Sequence, residues 1–94
     1  MPEKIFCVIP SYNEAKNLPG VIRELLPQVD KIIIVDDGSA DNTLSLAFPE
    51  KVTLLRHVIN RGQGAALATG DEYALKFGAD IIVHFDADRQ FAAR

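Results

Sequence analysis

Three oxygen-bearing side chains follow an apolar run near the end of this 94-residue chain. The run reads I-I-V-H-F at 81–85, and Asp86, Asp88 and Gln90 come after it at every second position. Side chains alternate between the faces of an extended chain, so these three could all project the same way. Their oxygens suit Mg²⁺ or Mn²⁺ better than zinc, which prefers nitrogen and sulfur. The pattern predicts a magnesium or manganese site.

Two adjacent carboxylates, Asp36 and Asp37, directly follow the β-branched run at 32–35. Burying them is unfavourable unless a ligand or hydrogen bonds satisfy their oxygens. One interpretation is a carboxylate that accepts hydrogen bonds from a nucleobase N–H or a ribose hydroxyl. The other is a capped turn, in which the amide of Gly38 or Ser39 bonds to an aspartate, and this is favoured more for Asp36 than for Asp37.

Other polar side chains are open to two interpretations. The loop N-R-G-Q-G at 60–64 precedes a predicted helix, so its amides could meet an anion, but it matches neither the dinucleotide fingerprint nor the phosphate-binding loop. Arg61 is either a substrate contact or a solvated charge. Tyr12 either stacks on a base or only belongs to a turn. For His84, inside an apolar run, a hydrogen-bonded structural role is favoured over metal ligation.

The elements that must position these residues form an alternating pattern. Four apolar runs predict strands, and the segments between them have helical spacing or cap signals. This order predicts an α/β fold, with a mostly parallel, Rossmann-like sheet of about four strands and flanking helices. We expect Pro10 to end the first strand, because proline cannot donate to a ladder, and we place the third strand nearer an edge. The predicted strands are 5–9, 32–35, 52–58 and 81–86, all buried apart from the third.

Helix signals occur between the strands. Asn17 as N-cap and Pro19 in the first turn begin the first helix, and Pro27 ends it. A short helix is predicted from Asp41 or Asn42 to Phe48. The long helix at 64–77 is weakened by Gly70 and followed by Gly78 as its C′ residue. The side chains expected to pack are Val21, Ile22, Leu25 and Leu26 in the first helix, and Ala65, Leu67, Ala68, Ala74, Leu75 and Phe77 in the long helix.

The polar clusters at 10–14, 36–43 and 86–90 each follow a predicted strand. Ligands of open α/β sheets bind at the carboxyl ends of the strands. We therefore expect the three clusters to gather at one edge of the sheet and form one site.

Composition narrows the class of protein. The net charge of −3 argues against a nucleic-acid-binding surface. Cys7 is the single cysteine, so no internal disulfide can form, and a buried thiol in a reducing compartment is expected. No apolar run approaches the ~18 residues that span a bilayer, and the N-terminus lacks the pattern of a secretory signal. We expect a cytoplasmic location, at the cytosolic face of a membrane if a C-terminal anchor lies outside these residues.

Four motifs then carry a family resemblance. They are V-I-P-S-Y-N-E at 8–14, V-D-D-G-S-A-D-N-T at 35–43, N-R-G-Q-G-A-A at 60–66 and F-D-A-D-R-Q at 85–90. In order and spacing they resemble the family 2 inverting glycosyltransferases, and the D-A-D-x-Q form is most similar to the branch of polyprenyl-phosphate sugar transferases such as dolichyl-phosphate mannose synthases. The resemblance implies a GT-A fold whose N-terminal half binds a nucleoside diphosphate sugar, a UDP- or GDP-sugar.

The resemblance also implies roles for individual residues. Pro10, Tyr12 and Glu14 would line the nucleotide pocket, and Asp37 would contact the base. Asp86 would lie by the ribose or the metal.

At the D-A-D-x-Q motif, Asp88 and Gln90 would bind the Mg²⁺ or Mn²⁺ ion. Arg89 departs from the glycine often found in the family. The family's general base is a carboxylate in the C-terminal half, and this chain ends at Arg94. We therefore expect residues 1–94 to be the donor-binding part of a GT-A domain that stops shortly after the D-x-D motif. Such a part would bind nucleoside diphosphate with metal without transferring sugar, and its uncovered apolar surface would favour self-association.

Two other classes remain as alternatives. A non-catalytic nucleotide-binding module would bind the ligand without turnover. A nucleotidyltransferase would carry a glycine-rich, basic loop directly after the first strand, where this chain has P-S-Y-N-E at 10–14. The acceptor is open, with polyprenyl phosphate suggested by the branch.

Overall fold

The computed structural model describes residues 3–41 and 43–87, which form four strands and two α-helices. An α-helix follows the first and the third strand, and within these residues only a short 3₁₀ turn lies between the second and the third. The predicted α/β class is confirmed. Short 3₁₀ turns lie at Leu26–Gln28 and Thr43–Ser45. In chain order the main elements are β1 (Ile5–Ser11), α1 (Leu18–Leu25), β2 (Lys31–Asp37), β3 (Val52–His57), α2 (Gln63–Lys76) and β4 (Ile81–His84).

All four strands are parallel, in the order β3-β2-β1-β4. The chain adds strands on one side of β1 as far as β3, and α2 then carries it back to the other side. The strand order thus reverses between β1 and β4, and open α/β sheets bind ligands at such a point. The edge position expected for the third strand is confirmed.

The core occupies both faces of the sheet. On one face, Ile32 and Ile34 pack with the apolar stripe of α1, whose buried members are Leu18, Val21, Ile22 and Leu25. On the other face, Ile33 and Val35 pack with α2. The side chains predicted for the first helix therefore do face the sheet, with Leu26 half-buried in the 3₁₀ turn that follows.

The first strand continues past Pro10 to Ser11, so the predicted end at Ile9 is wrong. The carbonyl of Val8 accepts a bond from Phe85 on the β4 side, and successive residues of a strand bond to alternate sides. The nitrogen of Pro10 therefore also faces the β4 side, where that strand has already ended at His84. A proline at this position therefore removes no hydrogen bond between strands.

The second strand also runs beyond its predicted end, because Asp36 and Asp37 belong to β2 rather than to the following loop. They pair in register with Arg56 and His57 of β3. The helix predicted as far as Phe48 is reduced to the 3₁₀ turn Thr43–Ser45.

The buried stripe of α2 consists of three small residues, Ala66, Gly70 and Ala74. A Cβ added at Gly70 would lie 2.3 Å from Cγ1 of Val8, so the glycine that weakens the helix locally is what lets it approach β1 closely. The packing predicted for Leu75 and Phe77 is wrong, because their side chains are 67% and 54% exposed. Ala68 is exposed as well. Gly78 has φ +95° directly after the helix, as predicted for its C′ residue.

The fourth strand departs most from the prediction. It ends at His84 rather than Asp86, and it is largely exposed instead of buried, with Ile81 at 39% and Val83 at 42%. Within the described residues no element covers this part of the sheet face. Apolar surface is thus left uncovered, as expected, and self-association through it stays a prediction.

Candidate functional site

A cavity of about 300 Å³ lies at the carboxyl ends of the strands. The end of each strand, or the loop that follows it, contributes to the wall, so the described parts of the polar clusters gather as expected. Of the six residues predicted to bind substrate, five line this cavity, and Arg61 does not. The lining residues are Pro10, Ser11, Tyr12, Glu14, Asp37, Asn60, Gly62, Gln63 and Asp86.

Asp37, at the cavity wall, accepts three hydrogen bonds within the described residues. Its Oδ1 accepts hydrogen bonds from Nδ1 of His57 at 2.7 Å and from the N–H of Arg61 at 2.9 Å. Its Oδ2 accepts the N–H of Gly62 at 2.7 Å. The side chain is 5% exposed, so these bonds hold a charge with little contact with water.

The pKa of Asp37 reflects opposing effects. Desolvation by burial favours the neutral form and is the largest single influence on the group. The amide of Arg61, the ring of His57 and the amide of Gly62 together outweigh it and hold the pKa below its ordinary value. The carboxyl is therefore ionised near neutral pH, and it can only accept hydrogen bonds.

The loop at 60–64 does place amides on an anion, but that anion is the chain's own Asp37. Gly62 has φ +99°, a conformation that favours glycine, and it directly precedes α2. Arg61 contributes its backbone amide here, while its side chain is exposed outside the cavity wall.

Asp36, on the opposite face of β2, closes a turn. Its Oδ2 accepts the N–H of Ser39 at 3.1 Å, and its Oδ1 accepts the Ser39 hydroxyl. The capped-turn interpretation is therefore confirmed for Asp36.

Side-chain hydrogen bonds join the loop after β1 to the loop after β2. The N–H of Asn13 donates to Oγ of Ser39, and the N–H of Ala40 donates to Oδ1 of Asn13, each at 2.8 Å. Asp41 accepts the N–H of Ala15 at 3.1 Å and that of Thr43 at 3.0 Å. The Thr43 hydroxyl, its N–H and the Ala15 N–H lower the pKa of Asp41 against the opposing effect of desolvation.

The loops after β2 and β3 also touch. A Cβ at Gly38 would lie 2.8 Å from the nitrogen of Asn60, and Gly38 has φ +78°. The polar loops therefore form one connected rim around the cavity.

Three further side chains shape the wall. Tyr12 is 49% exposed, so its ring is accessible to a ligand. Glu14 accepts a hydrogen bond from Nδ2 of Asn17 at 2.7 Å, which is why Asn17 does not cap α1 with its side chain. The hydroxyl of Ser11 is buried, and no group in the described part of the chain bonds to it.

Two polar residues that no sequence pattern singled out, His57 and Thr69, lie behind Asp37. His57 is 7% exposed, and its Nε2 lies 2.9 Å from Oγ1 of Thr69 on α2. The register that places His57 beside Asp37 depends on β3 pairing with β2, which only the fold reveals.

Of the predicted metal row, the structure describes Asp86 alone, at the cavity wall. Asp88 and Gln90, like Arg89, lie outside the described residues. Within residues 3–41 and 43–87, no three His, Cys, Asp or Glu side chains gather as a metal site. The predicted donors are all oxygens, so the chemistry of the set fits Mg²⁺ or Mn²⁺.

His84, the last residue of β4, has a hydrogen-bonding partner. Its Nε2 lies 2.7 Å from Oδ1 of Asp71 on α2, so the hydrogen-bonded interpretation holds, although at an exposed position. Among the described helices, none is long and apolar enough to cross a lipid bilayer.

Comparisons with known proteins agree with this geometry. The model of the family described as Glycosyl transferase family 2 matches residues 6–94. UDP-N-acetylglucosamine–dolichyl-phosphate N-acetylglucosaminyltransferase of Methanococcus voltae is 40% identical over 106 residues, covering 94% of this chain and 42% of that protein. Polyprenol monophosphomannose synthase of Mycolicibacterium smegmatis is 37% identical over 99 residues, covering 96% and 37%. The chain thus spans about two fifths of the length of these curated relatives.

A solved structure has the same fold. Glucosyl-3-phosphoglycerate synthase from Mycobacterium tuberculosis, in complex with Mn²⁺, UDP and glucosyl-3-phosphoglycerate, matches with a TM-score of 0.71 and 26% identity. The match covers 90% of this chain and 33% of that one. With four motifs, a parallel sheet of the GT-A type and the family match in agreement, the chain belongs to glycosyl transferase family 2.

Proposed function

We propose that the chain binds a nucleoside diphosphate sugar in the cavity at the strand ends, as the donor-binding part of an inverting glycosyltransferase. The observation that carries this proposal is the convergence of all four strand ends on one cavity, at the point where the strand order reverses. In this proposal residues 1–94 are one part of a larger GT-A domain.

Asp37 and Tyr12 supply the contacts to the base. Asp37 is held ionised at the wall, so it favours a ring N–H such as that of uracil or guanine. Tyr12 offers an exposed aromatic face for stacking. The UDP in the Mycobacterium tuberculosis structure supports this class of ligand.

Pro10, Glu14 and Asp86 complete the donor pocket, with Asp86 near the ribose or the metal. Asp86, Asp88 and Gln90 would hold Mg²⁺ or Mn²⁺, which when bound offsets the charge that develops on the leaving diphosphate. The Mn²⁺ of the same structure supports this assignment. Arg61 acts through its amide, which holds Asp37 in place.

The names of the relatives, which include dolichyl-phosphate and polyprenol monophosphomannose, support a lipid-linked acceptor. We propose a polyprenyl phosphate acceptor for the whole enzyme. Inversion requires a general base on the face opposite the leaving group, and no described residue is assigned that role. The 94 residues alone are expected to bind donor without transferring sugar.

Isothermal titration calorimetry with UDP, GDP and Mn²⁺ tests donor binding. The unaltered chain should bind UDP or GDP with Mn²⁺ and more weakly with a chelator. Asp88→Ala should lose the part of the nucleotide affinity that depends on Mn²⁺. Asp80→Asn should keep it, because Asp80 is an exposed carboxylate that accepts a hydrogen bond from the Lys4 amide. Equal affinities of the unaltered chain and Asp88→Ala would contradict the metal row, and no binding of either nucleotide would contradict the proposed function.

A further inference from the structure

A line of three hydrogen-bonded side chains runs from α2 to the cavity. Oγ1 of Thr69 lies 2.9 Å from Nε2 of His57, and Nδ1 of His57 lies 2.7 Å from Oδ1 of Asp37. The three residues come from α2, β3 and β2, and His57 and Asp37 are both buried. The line ends at a residue of the cavity wall.

The chemistry of the groups assigns the protons along this line. An ionised carboxylate only accepts, so Nδ1 of His57 carries a hydrogen and donates it to Asp37. When the ring is neutral, Nε2 carries no hydrogen and accepts a hydrogen bond from the Thr69 hydroxyl. Thr69 thereby selects the Nδ1–H tautomer that Asp37 requires.

Counting acceptor positions shows what is left for a ligand. A carboxylate has about four lone-pair sites. His57 and Arg61 occupy both sites of Oδ1, and Gly62 occupies one site of Oδ2. Within the described residues, one site on Oδ2 remains without a donor.

We propose that His57, oriented by Thr69, is a positioning residue that fixes the Asp37 carboxylate so that its remaining lone pair meets a base carrying a ring N–H. This inference rests on the proposed function, since it assumes that a nucleotide base reaches Asp37. Uracil and guanine present such an N–H, whereas cytosine and adenine present a bare nitrogen that a carboxylate repels. His57 and Thr69 would therefore influence base preference without touching the base.

A purely structural role makes a different prediction. If His57 only tied β3 to α2, its loss would reduce the folded fraction and lower the apparent affinity for every nucleotide alike. The ratio of two affinities measured on one variant is independent of the folded fraction. A base-preference ratio therefore separates positioning from stability.

The chain offers two matched pairs of variants. Thr69→Val keeps the shape and removes the hydroxyl, while Thr69→Ser keeps the hydroxyl. His57→Leu removes the donor to Asp37, while His57→Asn restores an N–H at the δ position. For each protein we would measure the dissociation constants of two nucleotide pairs, UDP with CDP and GDP with ADP, by calorimetry with Mn²⁺. Circular dichroism would give the folded fraction.

The unaltered chain should prefer UDP over CDP or, if it binds purine nucleotides, GDP over ADP. His57→Leu should reduce that preference roughly tenfold, the worth of a hydrogen bond to a charged group. Thr69→Val should reduce it by a smaller factor, roughly threefold, since a neutral bond is lost. Thr69→Ser and His57→Asn should retain most of it.

Each other outcome overturns the inference. Nucleotide binding with the same ratio in His57→Leu as in the unaltered chain removes the positioning role and leaves the proposed function standing. If base preference falls equally in His57→Asn and His57→Leu, the positioning role is also overturned, because the N–H donor to Asp37 would then make no difference. No binding of UDP, CDP or GDP by the unaltered chain overturns the proposed function, and the positioning role with it.

Discussion

Replacing Asp37 with asparagine tests whether the buried carboxylate holds the site together. The two side chains have the same shape, but one oxygen becomes an NH₂ group that donates. Three N–H groups converge on the carboxylate, two on Oδ1 and one on Oδ2. The better orientation puts the NH₂ at the Oδ2 position, where it opposes the amide of Gly62.

The expected loss follows from these contacts. One buried N–H without an acceptor costs about 1–3 kcal/mol, and the two remaining bonds weaken because the acceptor is no longer charged. Removing a negative charge near the N-terminus of α2 also removes its favourable interaction with the helix dipole, which adds about 0.3–1 kcal/mol to the loss of stability. Because Asp37 lines an open cavity, the lower part of each range applies. With about 0.5–1 kcal/mol lost from each of the two weakened bonds, the free energy of unfolding should fall by about 2–3 kcal/mol near neutral pH.

The loss should also depend on pH. The pKa of Asp37 is lower in the folded chain than its ordinary value, so the ionised carboxylate stabilises the fold above the unfolded pKa of about 3.9. This stabilisation disappears as the pH falls through the folded pKa. The difference between the two proteins should persist from neutral pH down to about 5 and shrink below about 4.

Urea denaturation followed by far-ultraviolet circular dichroism measures both effects. Asp80→Asn is the control, since Asp80 is exposed and accepts the Lys4 amide at 2.8 Å, and it should change stability by less than about 1 kcal/mol. An Asp37→Asn protein within about 0.5 kcal/mol of the unaltered chain would refute the account of Asp37. So would a loss that stays constant under acid conditions.

Two further predictions concern the core. Gly70→Ala should be about 2 kcal/mol less stable to urea than Gly64→Ala, because its methyl group meets Val8 at 2.3 Å while a methyl group at Gly64 has nothing within 4 Å. Equal stabilities of the two alanine variants would show that α2 does not approach β1 so closely. Burial raises the pKa of Cys7 to about 11, so near neutral pH the folded chain should resist iodoacetamide while the urea-unfolded chain reacts, as measured by mass spectrometry. Comparable rates in the two states would contradict a buried, protonated thiol.

Periodicity and turn chemistry were sufficient to predict the order of the elements and the edge where the site lies. Apolar runs next to helical spacing define an α/β order, and the carboxyl ends of parallel strands share one edge. That is why Pro10, Asp37 and Asp86, widely separated in the chain, were expected together before any contact was known. The four sequence motifs were also sufficient to predict the family.

The partners of those residues were decided by the tertiary structure. Alternation along β2 sends Asp36 and Asp37 to opposite faces, but which donors they meet depends on the strand and loop packed beside them. Asp37 thus meets His57 and Gly62, while Asp36 closes a local turn with Ser39.

Strand boundaries and packing also depended on neighbours. Pro10 remains in β1 because β4 stops short of it, and Gly70 lies in α2 because β1 is close. A sequence pattern indicates the local conformational preference of a residue, not its contacts with residues distant in the chain. The amides that meet the carboxylate of Asp37 lie 24 and 25 residues further along the chain, and only the folded sheet brings them to it.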